Sequence, residues 1–185
     1  VSDSTVTFLE SGTCTVTANQ AGDDNYNEAD EVTLNIGIDK TDQTIENFAA
    51  TPPGGAIGDS STLSATATSG LTVTFSVDPA TSTICEVTDS TVTYLKAGTC
   101  TVNADQAGND DYNEAPTVPL NITVDKLDQT ITNFAANPAS GNVEGSSTLS
   151  ATPGDSGEAV TFGSSTPTIC TVSSDTVSYV AAGTC

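Results

Sequence analysis

One segment of this sequence occurs three times and sets the size of the folding unit. Its copies are TICEVTDSTVTYLKAGTC at residues 83–100, TICTVSSDTVSYVAAGTC at 168–185, and the shorter VSDSTVTFLESGTC at 1–14. The cysteines Cys14, Cys100 and Cys185 therefore hold one repeat position, 86 and 85 residues apart. A period of this length corresponds to a small domain rather than to one turn of a solenoid, so the sequence predicts an array of similar domains.

The period predicts one complete repeat between two partial ones. We expect residues 1–39 to be the C-terminal part of one repeat, residues 40–125 a complete repeat, and residues 126–185 the N-terminal part of a third. The joints Ile38–Asp42 and Val124–Asp128 are short and contain no Gly-Ser tract, which predicts a fairly stiff connection and repeats arranged end to end. We also expect the chain to be an excerpt from a longer array.

Composition and periodicity predict an all-β fold. Thr, Ser, Val and Ala dominate the sequence, and Met, Trp and His are absent. Apolar and polar residues alternate within short segments that turn residues separate. In the complete repeat this pattern predicts strands at Gln43–Ala50, Thr62–Thr68, Leu71–Val77, Ile84–Thr88, Thr91–Leu95, Thr99–Ala104 and Val118–Val124. Seven or eight short strands per repeat are typical of a β-sandwich.

The remaining segments extend this prediction. In the first partial repeat we expect strands at Thr5–Leu9, Thr13–Ala18 and Glu31–Ile36, and in the complete repeat a loop over Pro52–Ser60. The apolar anchors of the core are expected to include Ile45, Phe48, Phe75 and Phe134. The last partial repeat lacks its final two strands, so its sheet edges should be open and prone to pairing.

The charge of the chain is strongly one-sided. It carries 24 acidic residues, three lysines and no arginine, for a net charge of −21. This charge excludes ordinary binding to nucleic acids or to anionic membranes, both of which need cationic surfaces. No apolar run approaches the length of a membrane-spanning helix, so we expect no membrane insertion. Cation binding and high-salt surroundings remain open, and a solvated acidic surface is the interpretation we favour.

The cysteines predict two disulfides. Cys85 alternates with Val87 and Cys100 with Val102, so both thiols should point inward on either side of a bend at Gly98. We therefore expect pairs Cys85–Cys100 and Cys170–Cys185, with Cys14 unpaired in this chain, and an oxidising compartment. Buried free thiols are the alternative. A zinc site is less favoured, because the sequence has neither a CxxC motif nor histidine.

An acidic loop recurs as Gly22–Glu28 and Gly108–Glu114. An Asx-rich turn is the favoured interpretation, but carboxylate and amide oxygens at this density also suit calcium. If the second loop faces the linker Ile38–Asp42, one calcium site would form at that seam. Its ligands would be Asp39, Asp42, Asn109, Asp110, Asp111 and Glu114. No other feature of the sequence requires a cofactor.

Four segments together carry a family resemblance: Leu71–Phe75, Ile84–Cys85, Ala97–Val102 and Gln106–Asn113. With them the whole chain resembles bacterial Ig-like repeats, the tandem modules of large secreted or surface-attached proteins that include adhesins of the invasin and intimin kind. The resemblance implies a β-sandwich spacer or adhesive module outside the cell, at the bacterial surface. Its partners would be neighbouring repeats of the same protein or fibre. The resemblance implies no chemistry.

Three functional hypotheses follow. The first is a stalk segment of a surface adhesin or extracellular fibre, the second a module that binds a glycan or protein, and the third an accessory array of a secreted enzyme. We expect no catalysis in this chain, because without histidine no Ser-His-Asp or Cys-His arrangement can form. Exchange of residues 1–39 into residues 126–185 of a neighbouring molecule is less favoured, because Val1–Cys14 and Val172–Cys185 duplicate the same repeat positions.

Overall fold

The computed structural model describes residues 4–185, which fold into fourteen short β-strands and a single 3-10 turn, Pro79–Thr81. The chain divides into two compact units, the first ending at Lys126 and the second comprising Leu127–Cys185. The first unit contains β1 Gly12–Ala18, β2 Val32–Ile38, β3 Ile45–Thr51, β4 Gly54–Ala56, β5 Ser60–Ala67, β6 Thr74–Val77, β7 Cys85–Thr88, β8 Thr91–Tyr94, β9 Gly98–Asp105 and β10 Val118–Asp125. The second contains β11 Thr132–Asn137, β12 Ser146–Thr152, β13 Cys170–Ser173 and β14 Thr176–Tyr179. The all-β prediction is confirmed.

Eight strands of the first unit form a β-sandwich. One sheet has the strand order β3-β5-β8-β7 and the other β4-β10-β9-β6, and only the short pairing of β4 with β10 is parallel. Alternate residues of each strand point into the space between the sheets, as the pleat requires. The resulting core joins Leu63, Val92 and Tyr94 of the first sheet to Val102 and Ile122 of the second.

Two segments of the complete repeat differ from the sequence prediction. The expected loop Pro52–Ser60 contains β4, because its backbone finds a ladder partner in β10, with Gly54 opposite Thr123. A Cβ at Gly54 would lie 2.7 Å from the Thr123 carbonyl oxygen, so this close approach needs glycine. The expected strand Leu71–Val77 begins only at Thr74, because β9 offers partners to residues 74–77 alone.

In the first partial repeat, β1 and β2 form a separate two-stranded antiparallel sheet. The predicted strand Thr5–Leu9 is wrong, because residues 6–9 have no regular structure. The matching segment of the complete repeat is β8, which is paired on both sides by β5 and β7. Residues 4–39 contain no counterpart of either neighbour, so this segment forms no ladder beyond an isolated bridge at Thr5.

The second unit reproduces one sheet of the sandwich. Its order β11-β12-β14-β13 corresponds to β3-β5-β8-β7, and residues 127–185 contain no counterpart of the other sheet. The prediction that Phe134 is a core residue is therefore wrong: its side chain is 68% exposed. It still stacks on Phe162 at 5.7 Å between ring centroids, as Phe48 stacks on Phe75 at 5.5 Å. The aromatic pair thus survives without the layer that covers it in the complete repeat.

Candidate functional site

The two predicted disulfides are present. Cys85 begins β7 in one sheet, whereas Cys100 lies in β9 of the other, and their Cα atoms are 5.8 Å apart. The Cys170–Cys185 pair has a Cα separation of 5.7 Å. Within the described residues, Cys14 is the one free cysteine. The first disulfide therefore crosslinks the two layers of the sandwich through its core.

A tight crossing of the chain brings each cysteine pair together. The amides of Leu95 and Lys96 both donate to the carbonyl of Ile84, at 2.8 and 3.1 Å, which holds the chain against the start of β7. Gly98 then turns the chain with φ +147°, and a Cβ there would lie 3.2 Å from the Ile84 side chain. Since L residues rarely adopt this φ, the glycine of the AGTC motif is a geometric requirement for the crosslink.

A second structural feature joins the end of the first partial repeat to the complete repeat. We call it the junction, and it consists of Ser11, the linker Ile38–Asp42 and the acidic loop Gly108–Glu114. The Thr41 amide donates to the Asp111 carbonyl at 2.8 Å, and the Asn113 amide donates to the Thr41 carbonyl at 2.9 Å. These two bonds form a short parallel bridge across Tyr112, so the linker backbone is held along the loop.

Residues on both sides of the β1–β2 sheet make further hydrogen bonds to the acidic loop. The Ser11 amide donates to the Asp111 carboxylate at 2.9 Å, and the Ser11 hydroxyl donates to the Asp110 carbonyl. The Lys40 ammonium donates to the Asn109 carbonyl at 2.7 Å. Residues before β1 and residues after β2 thus both contact the loop, which fixes the β1–β2 sheet to the sandwich at two points.

A pair of buried glutamines supports the loop from below. Gln43 Nε2 donates to Gln106 Oε1 at 2.5 Å and to the Asn113 carbonyl at 2.6 Å. Gln106 Oε1 also accepts from the Gly108 amide at 2.6 Å. Both side chains are buried, and their remaining groups are also paired: Gln43 Oε1 accepts from the Ser69 hydroxyl and Gln106 Nε2 donates to the Thr72 carbonyl. Sequence reasoning missed this pair, although glutamine recurs one period away at positions 20 and 129.

The acidic loop is an Asx turn in both copies. Asn109 Oδ1 accepts from the amides of Asp111 and Tyr112 at 2.9 and 2.8 Å. In the first copy, Asp23 accepts in the same way from the amides of residues 25 and 26, at 2.7 and 2.9 Å. Tyr26 is 76% exposed, whereas Tyr112 is half-buried against the linker. The loop therefore holds its conformation by itself and supplies a preformed surface for the linker.

Protein groups already occupy several of the oxygens that we assigned to calcium. Asp111 Oδ1 accepts from Ser11, Asn109 Oδ1 is used in the Asx turn, and Asp42 Oδ1 accepts from the Asn113 side-chain amide at 2.8 Å. Among residues 4–185, no hydrogen bond reaches the carboxylates of Asp39, Asp110 or Glu114. Across residues 4–185, no three acidic, cysteine or histidine side chains converge as a metal-binding group. Calcium binding stays a prediction.

Two observations concern the environment in which the protein is found. The disulfides indicate an oxidising, non-cytoplasmic environment. Within residues 4–185 there is no helix of the length and apolar character needed to cross a membrane.

Neither a family model nor a curated protein matches the chain.

Proposed function

We propose that this chain is a stalk segment of a large bacterial extracellular or cell-surface protein, an adhesin or surface fibre built from disulfide-stapled Ig-like repeats. The junction is the observation that carries this proposal. A flexible array needs only a covalent linker between its repeats, but here the linker backbone and both flanking segments are bonded to the next repeat. Such a joint holds the orientation of consecutive repeats, which is what a spacer requires.

The strand order supports the Ig-like part of the proposal. Ig-type sandwiches of the constant class place strands A, B, E and D in one sheet and C, F and G in the other. The order β3-β5-β8-β7 corresponds to A-B-E-D, and β6-β9-β10 corresponds to C-F-G. The repeat at 40–125 then has the size and topology of one such module, with β4 added beside the last strand.

The disulfide position supports a role under tension. Pulling a sandwich apart separates its two sheets, and the Cys85–Cys100 bond joins these sheets covalently. It also closes the segment between the two cysteines, so that part of the repeat cannot extend when the domain unfolds. The same staple recurs at Cys170–Cys185. A crosslink at the same repeat position in the second and third copies suits a fibre exposed to force and to proteases.

We propose a non-catalytic role, because the chain lacks histidine and the sequence contains no nucleophile motif. The alternative, a module that binds a glycan or protein, needs an exposed aromatic platform. Phe134 is the most exposed aromatic side chain of the second unit, but its exposure follows from the missing second layer rather than from a built binding surface. The spacer role is therefore favoured over ligand binding.

Single-molecule force spectroscopy on the 185-residue chain tests the stalk role. The complete repeat should unfold in one resolved event, and reduction should lengthen that event by about 50 Å, because 15 further residues extend by roughly 3.3–3.6 Å each. A Cys85→Ser/Cys100→Ser variant should show the longer event without reductant. A repeat that extends without a resolvable unfolding force would contradict a stalk role.

Residual dipolar couplings in solution test the junction. Residues 12–38 and 45–125 should fit a single alignment tensor, because the junction fixes the β1–β2 sheet on the sandwich. A Ser11→Pro/Lys40→Ala variant removes the amide donor at Ser11 and the ammonium donor at Lys40, and the two parts should then need separate tensors. Separate tensors in the unmodified chain would mean that the joint is flexible, and a stiff spacer would be the wrong description.

A further inference from the structure

The chain enters the complete repeat at one end of the sandwich and leaves it at the other. At the entry end, Gln43 contacts Gln106, the residue that follows β9. Strand β10 begins at this same end, where Val118 lies opposite Ala104, and it finishes beside Gly98 at the far end of β9. Tension on a stalk of such repeats therefore pulls along the strands, and it reaches the sandwich through β3 and β10.

The disulfide limits which parts of the repeat this tension can separate. The Cys85–Cys100 bond ties β7 to β9, so these two strands stay together when the repeat is pulled. Both strands lie inside the repeat and neither continues into a linker. Unfolding under tension must instead detach the entering segment, which is β3 and β4, or the leaving strand, which is β10.

Strand β4 joins the entering segment directly to the leaving strand. Residues 54–56 lie opposite residues 123–125 in a parallel ladder. Tension reaches β4 from the entry end and β10 from the exit end, so it slides the two strands past each other. Because the bonds of a parallel ladder are evenly spaced, they resist sliding together, whereas a strand that is peeled from its end loses its bonds one at a time.

The turn after β4 anchors the same segment to the other sheet. The Gly58 amide donates to the Tyr94 carbonyl at 2.9 Å, and the Tyr94 amide donates to the Asp59 carbonyl at 3.0 Å. The Asp59 carboxylate also accepts from the Ala56 amide at 2.9 Å. Tyr94 lies in β8 and its side chain is fully buried, so this anchor is fixed in the core. Residues 54–59 thus connect β10 of one sheet to β8 of the other.

The same anchor recurs in the third copy. There the Glu144 amide donates to the Tyr179 carbonyl and the Tyr179 amide donates to the Gly145 carbonyl, both at 2.9 Å. Tyr179 holds the repeat position of Tyr94. The bonded turn therefore forms in both copies although the residues of the turn differ, which makes it a property of the repeat.

We propose that residues 54–59 are the clamp of the complete repeat, the segment whose release sets the force at which the repeat unfolds. The clamp has two contacts, the ladder with β10 and the turn bonded to Tyr94. The ladder requires glycine at position 54, because a Cβ there would lie 2.7 Å from the Thr123 carbonyl oxygen. This inference rests on the proposed stalk role, since a clamp acts only in a repeat under tension.

Force spectroscopy on the 185-residue chain tests the clamp with the Gly54→Val variant. The valine side chain should push β4 away from β10. At a fixed force, the complete repeat should then unfold about tenfold faster, the effect expected when one or two hydrogen bonds are missing from the barrier. The event that belongs to the complete repeat is the one that lengthens in Cys85→Ser/Cys100→Ser.

Val87→Ala is the matched control for a loss of stability away from the clamp. Val87 packs against the core from β7, a strand that the disulfide holds in place. The variant should lower the thermal midpoint because it removes packed methyl groups. At a fixed force it should unfold at the rate of the unmodified chain, since contacts that persist when the clamp opens do not affect the unfolding rate.

Asp59→Ala gives a second test of the clamp without a steric clash. It removes the carboxylate that accepts from the Ala56 amide, so this variant should also unfold faster at a fixed force than Val87→Ala. It decides the outcome if Gly54→Val does not fold.

Two results would overturn the inference, and they differ in what they say about the stalk. If the repeat gives a resolved event but the clamp variants unfold at the rate of Val87→Ala, the clamp is wrong and the stalk role stands. If the unmodified repeat extends without a resolved event, the clamp and the stalk role are both wrong.

Discussion

Opening the Cys85–Cys100 bond should remove a large part of the stability of the first unit. The bond closes a loop with a sequence separation of 15, and both cysteines are fully buried between the two sheets. In the unfolded chain a crosslink of this length restricts conformational freedom, which stabilises the folded state by about 3 kcal/mol at 25 °C. A domain of roughly 90 residues has a total stability of about 4–13 kcal/mol, so the loss would be substantial.

Two perturbations separate the crosslink from the packing around it. Reduction keeps both sulfur atoms in place, so the reduced protein should lose about 3 kcal/mol, equivalent to a fall in Tm of roughly 12–24 °C. The Cys85→Ala/Cys100→Ala variant also removes two buried sulfur atoms. Each deletion of a buried group of this size costs about 1 kcal/mol, so the variant should lose roughly 5 kcal/mol in all.

Hydrogen exchange of the amides in β8 and β9 measures this loss for the first unit alone, because reduction also opens Cys170–Cys185 in the second unit. Cys14→Ala is the matched control, since Cys14 forms no disulfide, and it should change the free energy of unfolding by less than about 0.5 kcal/mol. A loss below about 1 kcal/mol on reduction would refute the argument. It would mean that the unfolded chain already holds the two cysteines together.

Three further predictions concern the turn, the junction and calcium. Gly98→Ala should lower the free energy of unfolding by about 1–3 kcal/mol in a thermal melt, because the φ of Gly98 is +147° and a Cβ there would lie 3.2 Å from the Ile84 side chain. Gly12→Ala is the control and should cost less, because a Cβ at Gly12 meets no atom within 4 Å. Equal losses in the two variants would exclude the Ile84 contact as the cause. Gln43→Ala should lower the free energy of unfolding measured with denaturant by about 1–3 kcal/mol, because Gln106 and the Asn113 carbonyl lose their hydrogen-bond donor. An unchanged denaturation midpoint would show that water takes the place of the Gln43 side chain. Calorimetry should detect about one calcium site, lost in Asp39→Ala/Asp110→Ala; no heat at millimolar calcium would contradict that prediction.

The sequence predicts the sandwich strands well where alternation and turn residues coincide. The segments Thr91–Leu95, Thr99–Ala104 and Val118–Val124 appear within a residue or two of their predicted ends. Prediction fails where pairing decides the structure. Gly54–Ala56 has no strand character of its own and becomes β4 only beside β10. By contrast, Thr5–Leu9 has the alternation of a strand but forms no more than an isolated bridge at Thr5. A strand needs a partner for its backbone hydrogen bonds, and periodicity reports only the side chains.

The same contrast between local patterns and distant pairing separates the disulfides from the junction. Cysteine parity and the recurring AGTC motif are local signals, so both disulfides could be predicted. The junction depends on residues about 70 and 100 positions apart, such as Lys40 with Asn109 and Ser11 with Asp111. No local pattern marks these contacts, and the calcium hypothesis treated the same oxygens as free ligands. Their use in hydrogen bonds within the protein becomes visible only once the linker lies along the loop.

The three copies of the repeat act as controls for one another. The acidic loop keeps its Asx turn in the first copy, where no linker within residues 4–185 covers it, and in the second copy, where Ile38–Asp42 does. The loop is therefore preformed, and linker docking adds contacts without reshaping it. By contrast, the segments that match β4 and β6 form no strand in the third copy, which has no β9–β10 sheet. These two edge strands depend on that sheet, whereas β11, β12, β13 and β14 form without it. The A-B-E-D type sheet of a repeat is thus the part that its own residues specify, and the strands that match β4 and β6 need a β9–β10 type sheet beside them.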